Sequence, residues 1–206
     1  MRKLLVSLFC VLGLSSSAQT IQLPAPDLNS SAKSLFKVLS QRKSERSFSN
    51  KAISDATLST ILWSACGINR PEEKKITAPS AINAQDILVY VCRADGAYLY
   101  NPASNSLEKV SDVDLRNAVA GNQVFVAEAP ISLVMVSDGN KFRHGNAETM
   151  GMIDAGYVSE NICLACTALG LATVPRMSMN RETLKKELHL TDKQNLILNN
   201  PVAYPK

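Results

Sequence analysis

Three stretches of the chain place chemically capable groups at close spacing. In the first, Arg42, Lys43, Ser44, Arg46 and Ser47 bring two guanidiniums, an ammonium and two hydroxyls together. Planar guanidinium forks beside hydroxyls suit phosphate oxygens and carbonyl edges, so the segment reads either as an anion site or as a solvated basic turn. The second is Ala78-Pro79-Ser80-Ala81-Ile82-Asn83-Ala84-Gln85, whose small residues and two amides can set donors against a flat polar ring, or form an ordinary loop. In the third, Ala168-Leu169-Gly170-Leu171-Ala172-Thr173-Val174-Pro175 leads into Arg176-Met177-Ser178, a turn whose backbone amides can face a ligand.

Other reactive side chains read as structural. Cys163 and Cys166 form a Cys-x-x-Cys pair inside an apolar stretch. Three residues apart on a helix, their Cβ atoms would be about 5–6 Å apart, wider than the roughly 3.5–4.5 Å of a disulfide. Redox pairs also favour helix N-termini, where the thiol pKa falls. They are expected to be buried core thiols. His144 and His189, the only histidines, have no neighbours spaced for a triad or a metal cluster, and His189 is expected near a helix end. Trp63 and Tyr157 are expected in the core or at a subunit contact.

The elements that must hold these stretches can be read from apolar spacing. Ser30 or Ser31 caps a helix carrying Leu35, Phe36 and Leu39, which gives way to the basic turn. Ser54 opens a second helix with the stripe Leu58, Ile61, Leu62 and Ala65, and Gly67 closes it. A loop from Asn69 to Gln85 follows. Strands over 87–92 and 97–100 form a hairpin through Asp95-Gly96. Asp112 caps a helix running to Ala120, and the unbroken apolar run Ile131–Val136 predicts a central strand covered on both faces. From Glu148 to Leu169 a long helix is apolar around most of its circumference and is expected to be buried on most sides. A short strand over 171–174, a helix from Asn180 to Leu188 and a last strand over 195–202 complete the order. Strict βαβ alternation is lacking, so an α+β fold with an antiparallel or mixed sheet flanked by helices is expected.

The chain has 206 residues, 46% hydrophobic and 19% charged, enough to bury a core. Its net charge of +4 is small and dispersed, which argues against nucleic acid as a partner. Arg2-Lys3, the apolar run Leu4–Leu14 and Ser15-Ser16-Ser17-Ala18 have the three-part pattern of a secretory signal peptide. Residues 1–18 are therefore expected to be removed after Ala18, leaving one domain over 19–206 in the periplasm or secreted. Cys10 lies behind the bulky Phe9 in the middle of the run, unlike a lipid attachment site. No stretch reaches the length of a membrane span.

In their order and separation, the three stretches resemble the nitroreductase family of FMN flavoproteins over roughly residues 33–205. By that resemblance Arg42, Lys43, Ser44 and Arg46 match the opening motif, with Arg42 and Ser44 holding the FMN phosphate and Arg46 near the pyrimidine edge. A cation there would stabilise reduced flavin. Pro79, Ser80, Ala81, Asn83 and Gln85 match a motif that reaches the flavin ring, commonly from the partner subunit. Val174, Pro175 and the amides of Arg176 and Met177 would lie by the flavin N5 and O4 edge. Two positions depart from the pattern. Met177-Ser178 stand where oxygen-insensitive bacterial nitroreductases carry Glu-Gly, and the closing motif 199–205 is followed only by Lys206, which either replaces a phosphate-binding cation or leaves FMN less tightly held. The stretch from Ala97 to Arg116 has a looser likeness to the flavin dehydrogenases that oxidise azoline rings.

The resemblance implies a homodimer with FMN in two interfacial sites, and suits the apolar 148–169 helix as a subunit contact. It implies an oxidoreductase that passes electrons through flavin N5 from a reduced donor, NAD(P)H in relatives, to a small conjugated acceptor such as a nitroaromatic or quinone, with no side chain needed as acid or base. The alternatives are an FMN or small-ligand binding dimer without turnover, and a structural dimer with an empty site.

Overall fold

The computed structural model describes residues 19–28 and 34–206; the expected signal peptide and the Ser30 and Ser31 caps lie outside these residues. A seven-stranded sheet organises the fold. Its strands, in chain order, are β1 (Thr20–Gln22), β4 (Ile87–Arg93), β5 (Gly96–Asn101), β6 (Ser106–Ser111), β7 (Ile131–Asp138), β8 (Ala172–Thr173) and β9 (Gln194–Ala203), and β2 (Ile68–Arg70) and β3 (Lys75–Ile76) form a separate small hairpin. The spatial order is β1-β6-β5-β4-β7-β9-β8, and every pairing is antiparallel. This is the expected α+β class, in its antiparallel form.

Alternation along the inner strands sorts side chains to two faces. Val89 and Val91 of β4 and Leu133 and Met135 of β7 join one core with α2 (Asp55–Cys66) and α4 (Ala147–Ala168), through Leu58, Ile61, Leu62, Val158 and Ile162. Tyr90, Cys92, Val134 and Val136 point the other way, onto α3 (Arg116–Ala120) and α5 (Arg181–Glu187), through Val119, Leu184 and Leu188. Because β7 is covered on both faces, its run is continuously apolar rather than alternating, as its sequence predicts.

The caps explain most helix starts. Ser54, Asn146 and Asn180 each accept a hydrogen bond from the backbone N–H three residues on, satisfying a donor that the first turn leaves free. The first helix, α1 (Leu35–Gln41), is capped by Ser34. Several local expectations are corrected. The stretch 69–85 is not all loop, since β2, β3 and a 3₁₀ turn over Ala81–Asn83 lie within or overlap it. The β4–β5 turn is Ala94-Asp95, with Gly96 at φ +134° opening the next strand. Asp112 caps nothing: α3 begins at Arg116, whose N–H and Nε both donate to Asp114.

The long helix α4 is not buried on most sides, contrary to expectation. Ala155, Val158, Ser159, Ile162, Cys163 and Cys166 face the core, while Ile153 and Tyr157 lie open on the opposite face and Met152 is exposed nearer the start of the helix. On α1, Leu35, Phe36 and Leu39 are also exposed, Phe36 at 83%.

Candidate functional site

The basic turn is anchored at both ends. Arg42 ends α1, its N–H donating to Val38 O at 2.8 Å. Six residues on, Phe48 is fully buried against Ala172, Val174, Ala203 and Ala129, with the Phe125 ring 5.8 Å away. Between these points Glu45 N–H donates to Thr173 O at 3.0 Å, and Lys206 N–H reaches Ser47 O at 3.3 Å. The turn is thereby fastened to β8 and to the closing residues, so the first and third stretches of the sequence are neighbours. A groove of about 200 Å³ runs between them, lined by Lys43, Glu45, Thr167, Ala172 and Pro205.

The cations of this cluster are not equivalent. Lys43 pairs with Glu45 at 2.7 Å in the open. That ammonium and the N–H groups of Arg46 and Ser47 hold the Glu45 carboxyl below the usual carboxylate range. Lys206 pairs with Glu128 at 2.5 Å. Among the described residues the Arg46 guanidinium makes only a long contact, 3.4 Å, to Ser44 O. The half-buried Arg42 is close enough to Cys163 on α4 to act on it electrostatically, and among the described residues its guanidinium has no acceptor.

Past β8, Val174 is buried and Pro175 exposed before the chain re-enters the protein at Arg176. Arg176 N–H donates to Asn199 O at 2.8 Å, and Asn199 N–H returns a bond to Arg176 O at 2.7 Å. The Arg176 guanidinium points inward, to Asn199 Oδ1 at 2.7 Å, Gln123 Oε1 at 2.8 Å, and the carbonyls of Val119 and Ala120 at 3.2 and 3.0 Å. It gives a donor to the Val119 carbonyl and a second one to the Ala120 carbonyl, which also accepts from Gln123 N–H at 3.1 Å, and its charge faces the negative end of that helix. Of the two amides expected to face a ligand, that of Arg176 is thus committed to the sheet. Met177, 58% exposed, makes no backbone bond through its N–H among the described residues. Asn200 completes the support, donating to Thr173 Oγ1 at 3.2 Å and accepting from Ser159 of α4 at 2.7 Å.

The second stretch lies elsewhere on the protomer. Ala81 N–H donates to both carboxylate oxygens of Asp154, at 3.0 and 2.9 Å. Asp154 is nine residues before Cys163 on α4, a separation of about 13 Å along the helix axis. The loop is closed by Ser80 Oγ, which accepts from Gln85 N–H at 2.9 Å, while the Gln85 amide donates to Lys74 O at 2.9 Å and so faces the small hairpin. Ile82, Asn83 and Gln85 all have positive φ, near +50°. For a β-branched residue such as Ile82 that conformation is strained, and strain of this kind collects at functional sites. Pro79, Ile82 and Asn83 are exposed.

Beneath the loop lies a feature the sequence reading passed over. Asp86 and Asp154 are both buried, at 0% and 1% exposure. Asp86 Oδ2 accepts from Ser137 of β7 at 2.6 Å, while Oδ1 has no conventional donor. Burial, together with the facing Asp154 carboxyl, pushes Asp86 up to about 6. Gly151 makes room for this contact: a Cβ there would lie 2.2 Å from Ser137 Oγ and 3.4 Å from Asp86 Oδ2. The available signal was an acid set between Ile153 and Ala155 in an otherwise apolar helix.

All four cysteines among the described residues are free and buried. Burial pushes the Cys66 and Cys92 thiols up to about 12 and Cys163 to about 11, away from the reactive thiolate. Trp63 is half-buried, its Nε1 donating to Ile68 O at 3.2 Å, and His189 follows the end of α5. Among the described residues no cluster could hold a metal ion, and no helix is long and apolar enough to cross a membrane.

An antiparallel sheet between helical layers, with the Arg42 turn fastened to its edge strand β8, defines an α+β domain. The nitroreductase family model matches residues 39–204, and the chain belongs to the nitroreductase family. It is similar to the crystal structure of a candidate nitroreductase from Ralstonia eutropha JMP134, with 34% identity and a TM-score of 0.85 over 94% of this chain and 92% of that one. A candidate nitroreductase of Methanocaldococcus jannaschii is 29% identical over 173 residues, 75% of this chain and 83% of its own length. A more distant structure, a candidate nitroreductase from Desulfovibrio desulfuricans in complex with FMN, shares the fold at a TM-score of 0.63 and 21% identity, over 84% of this chain and 87% of that one.

Proposed function

We propose that the chain is an exported, homodimeric FMN-dependent oxidoreductase, released after Ala18, that reduces a small conjugated acceptor such as a nitroaromatic or quinone. The observation that carries the reading is Arg42, a half-buried residue at the end of α1 whose guanidinium has no acceptor among the described residues, next in the chain to Lys43, which edges the groove with Ala172. These residues fit a flavin nucleotide: Arg42 and Ser44 would hold its phosphate, with Lys206 as a further cation, and Arg46 would stand at its ring. When bound, FMN would supply the two-electron chemistry.

The chain's own residues bind, orient and shield. Arg176 and Asn199 fix the turn that carries Met177, whose N–H makes no backbone bond among the described residues. A fixed donor needs no reorganisation when negative charge develops beside it. Arg46, more weakly engaged, supplies positive charge that favours an anionic ring. No described acid or base is required at the reacting atoms.

The homodimer follows from what one protomer leaves apart. Asn83 and Arg42 belong to regions about 13 Å apart along α4, by the rise of the helix. Met152, Ile153 and Tyr157 expose an apolar strip on the same helix, of the kind that marks an interface. Pairing of two protomers over that strip would bring the Asn83 loop of one to the Arg42 turn of the other, and would cover Ile82.

The test is the visible spectrum of the purified 19–206 protein with FMN under argon, before and after NADH or NADPH. A protein-bound yellow chromophore that bleaches with the nicotinamide and recovers its colour with a quinone supports the proposal. A bound chromophore that neither nicotinamide bleaches points to another donor. One that dithionite reduces but no acceptor reoxidises points to a binding protein without turnover.

A further inference from the structure

We propose that Asp86 and Asp154 are a proton-sharing pair that positions the Ala81–Gln85 loop, so that one proton held between two buried carboxyls sets whether that loop keeps its strained, ligand-ready shape. As a statement about a flavin site this rests on the function proposed above; as a statement about the loop it does not.

The geometry leads there in steps. Asp154 is the loop's attachment to α4, since both of its oxygens take the Ala81 N–H. The two residues that follow, Ile82 and Asn83, have positive φ, as does Gln85, so the attachment holds in place a conformation the backbone resists. Asp86 directly follows the loop, and its side chain lies within hydrogen-bonding reach of Asp154. Two ionised carboxylates at that distance, out of water, repel strongly. One proton removes the conflict and also gives Asp86 Oδ1, the atom otherwise without a partner, a hydrogen bond to Asp154.

The surroundings give the pair no other way to discharge. From β7 comes the neutral Ser137 hydroxyl, donating to Asp86 Oδ2 at 2.6 Å. From α4 come Gly151, which has no side chain, and Asp154 itself. From the loop comes the Ala81 N–H. Asp138, next in the chain to Ser137, gives its N–H to Asp86 O, while its carboxylate takes the Asn140 N–H and side-chain amide. Among the described residues no Lys or Arg forms a hydrogen bond or ion pair with Asp86 or Asp154. When the shared proton leaves as pH rises, the relief open to the protein is to move Asp154 and Asp86 apart, which slackens the Ala81 attachment.

Amide hydrogen exchange of residues 81–85 in the flavin-free protein, corrected for intrinsic pH dependence, tests the pair directly. Protection in the wild type should fall about tenfold between pH 5 and pH 7.5, the factor expected for a proton held up to about pH 6 in the closed loop and to about pH 4 in an opened one. Asp86→Asn keeps a donor toward Asp154 and an acceptor for Ser137, so it should protect the loop equally at both pH values. Asp154→Ala should leave the loop unprotected at both, and Asp86→Asn alone decides the matter if that variant does not fold. Wild-type protection that is flat across this range, or an Asp86→Asn variant that keeps the wild-type response, overturns the proposal. FMN affinity of the same samples is read separately. The predicted exchange pattern without FMN binding at any pH would sink the proposed function and leave the pair standing, whereas FMN binding with flat exchange would do the reverse.

Discussion

Arg176 and Asn199 are joined by four hydrogen bonds: two between their backbones, one from the Arg176 guanidinium to Asn199 Oδ1, and one from Asn199 Nδ2 to Arg176 O at 3.2 Å. Asn199 Nδ2 also reaches Ser178 O at 3.1 Å. The turn that presents Met177 is therefore an extension of the sheet, held by an inward-facing charge.

Arg176→Met should lose stability through this arrangement. The apolar chain fills part of the space but leaves Gln123 Oε1, Asn199 Oδ1 and the Val119 carbonyl without their donor, while the Ala120 carbonyl keeps the Gln123 N–H. Breaking a buried, hydrogen-bonded charge site costs about 3 kcal/mol or more. Denaturant unfolding measures it; a variant within about 0.5 kcal/mol of wild type would show that water or neighbouring groups replace the guanidinium.

Arg42→Ala should weaken FMN binding roughly 10- to 100-fold, the worth of one or two charge-assisted hydrogen bonds. Lys43→Ala should change it by much less, because Lys43 is exposed and already paired with Glu45. Fluorescence titration with FMN separates the two. Equal losses would mean that the turn acts through its net charge and not through one placed guanidinium.

Stability should fall as pH rises through the Asp86 transition. Folding raises this acid above the ordinary carboxyl value, so its favourable contribution is complete below about pH 4 and is lost as pH climbs through about 6. The change amounts to about 3 kcal/mol by linkage. Carboxylates held low by a cation, such as Asp114 beside Arg116, have the opposite slope at lower pH. Subtracting the Asp86→Asn profile from that of wild type isolates the Asp86 part, and parallel profiles from pH 4 to 8 would contradict it.

Local chemistry was legible in the sequence where the deciding contacts are local. Ser54 and Asn180 cap the helices they precede, and the run 131–136 is a strand buried on both faces. What escaped depends on approach in space. The strands β1 and β6 are short and partly polar, and they exist because each pairs with a neighbour. Asp112 has the side chain of a cap, but Arg116 draws the helix start toward Asp114. Whether the Arg176 amide is free depends on β9, more than twenty residues later. Asp86 and Asp154 are far apart in sequence and meet only because Gly151 lets α4 settle onto Ser137. The apolar circumference of α4 overstated its burial in one protomer, leaving Ile153 and Tyr157 in the open.

The central claim is that one flavin site is assembled from the Arg42 turn of one subunit and the Asn83 loop of the other, and mixing mutant subunits tests it most directly. Arg42→Ala and Asn83→Ala subunits are co-expressed with different tags, the mixed dimer is isolated through both, and FMN per dimer is counted beside the two parent homodimers. With shared sites, both substitutions fall in one site of the mixed dimer and the other is intact, so it should hold one tightly bound FMN while the parents hold little. If each protomer built its own site, both sites would carry a defect, and a mixed dimer no better than its parents would contradict the account.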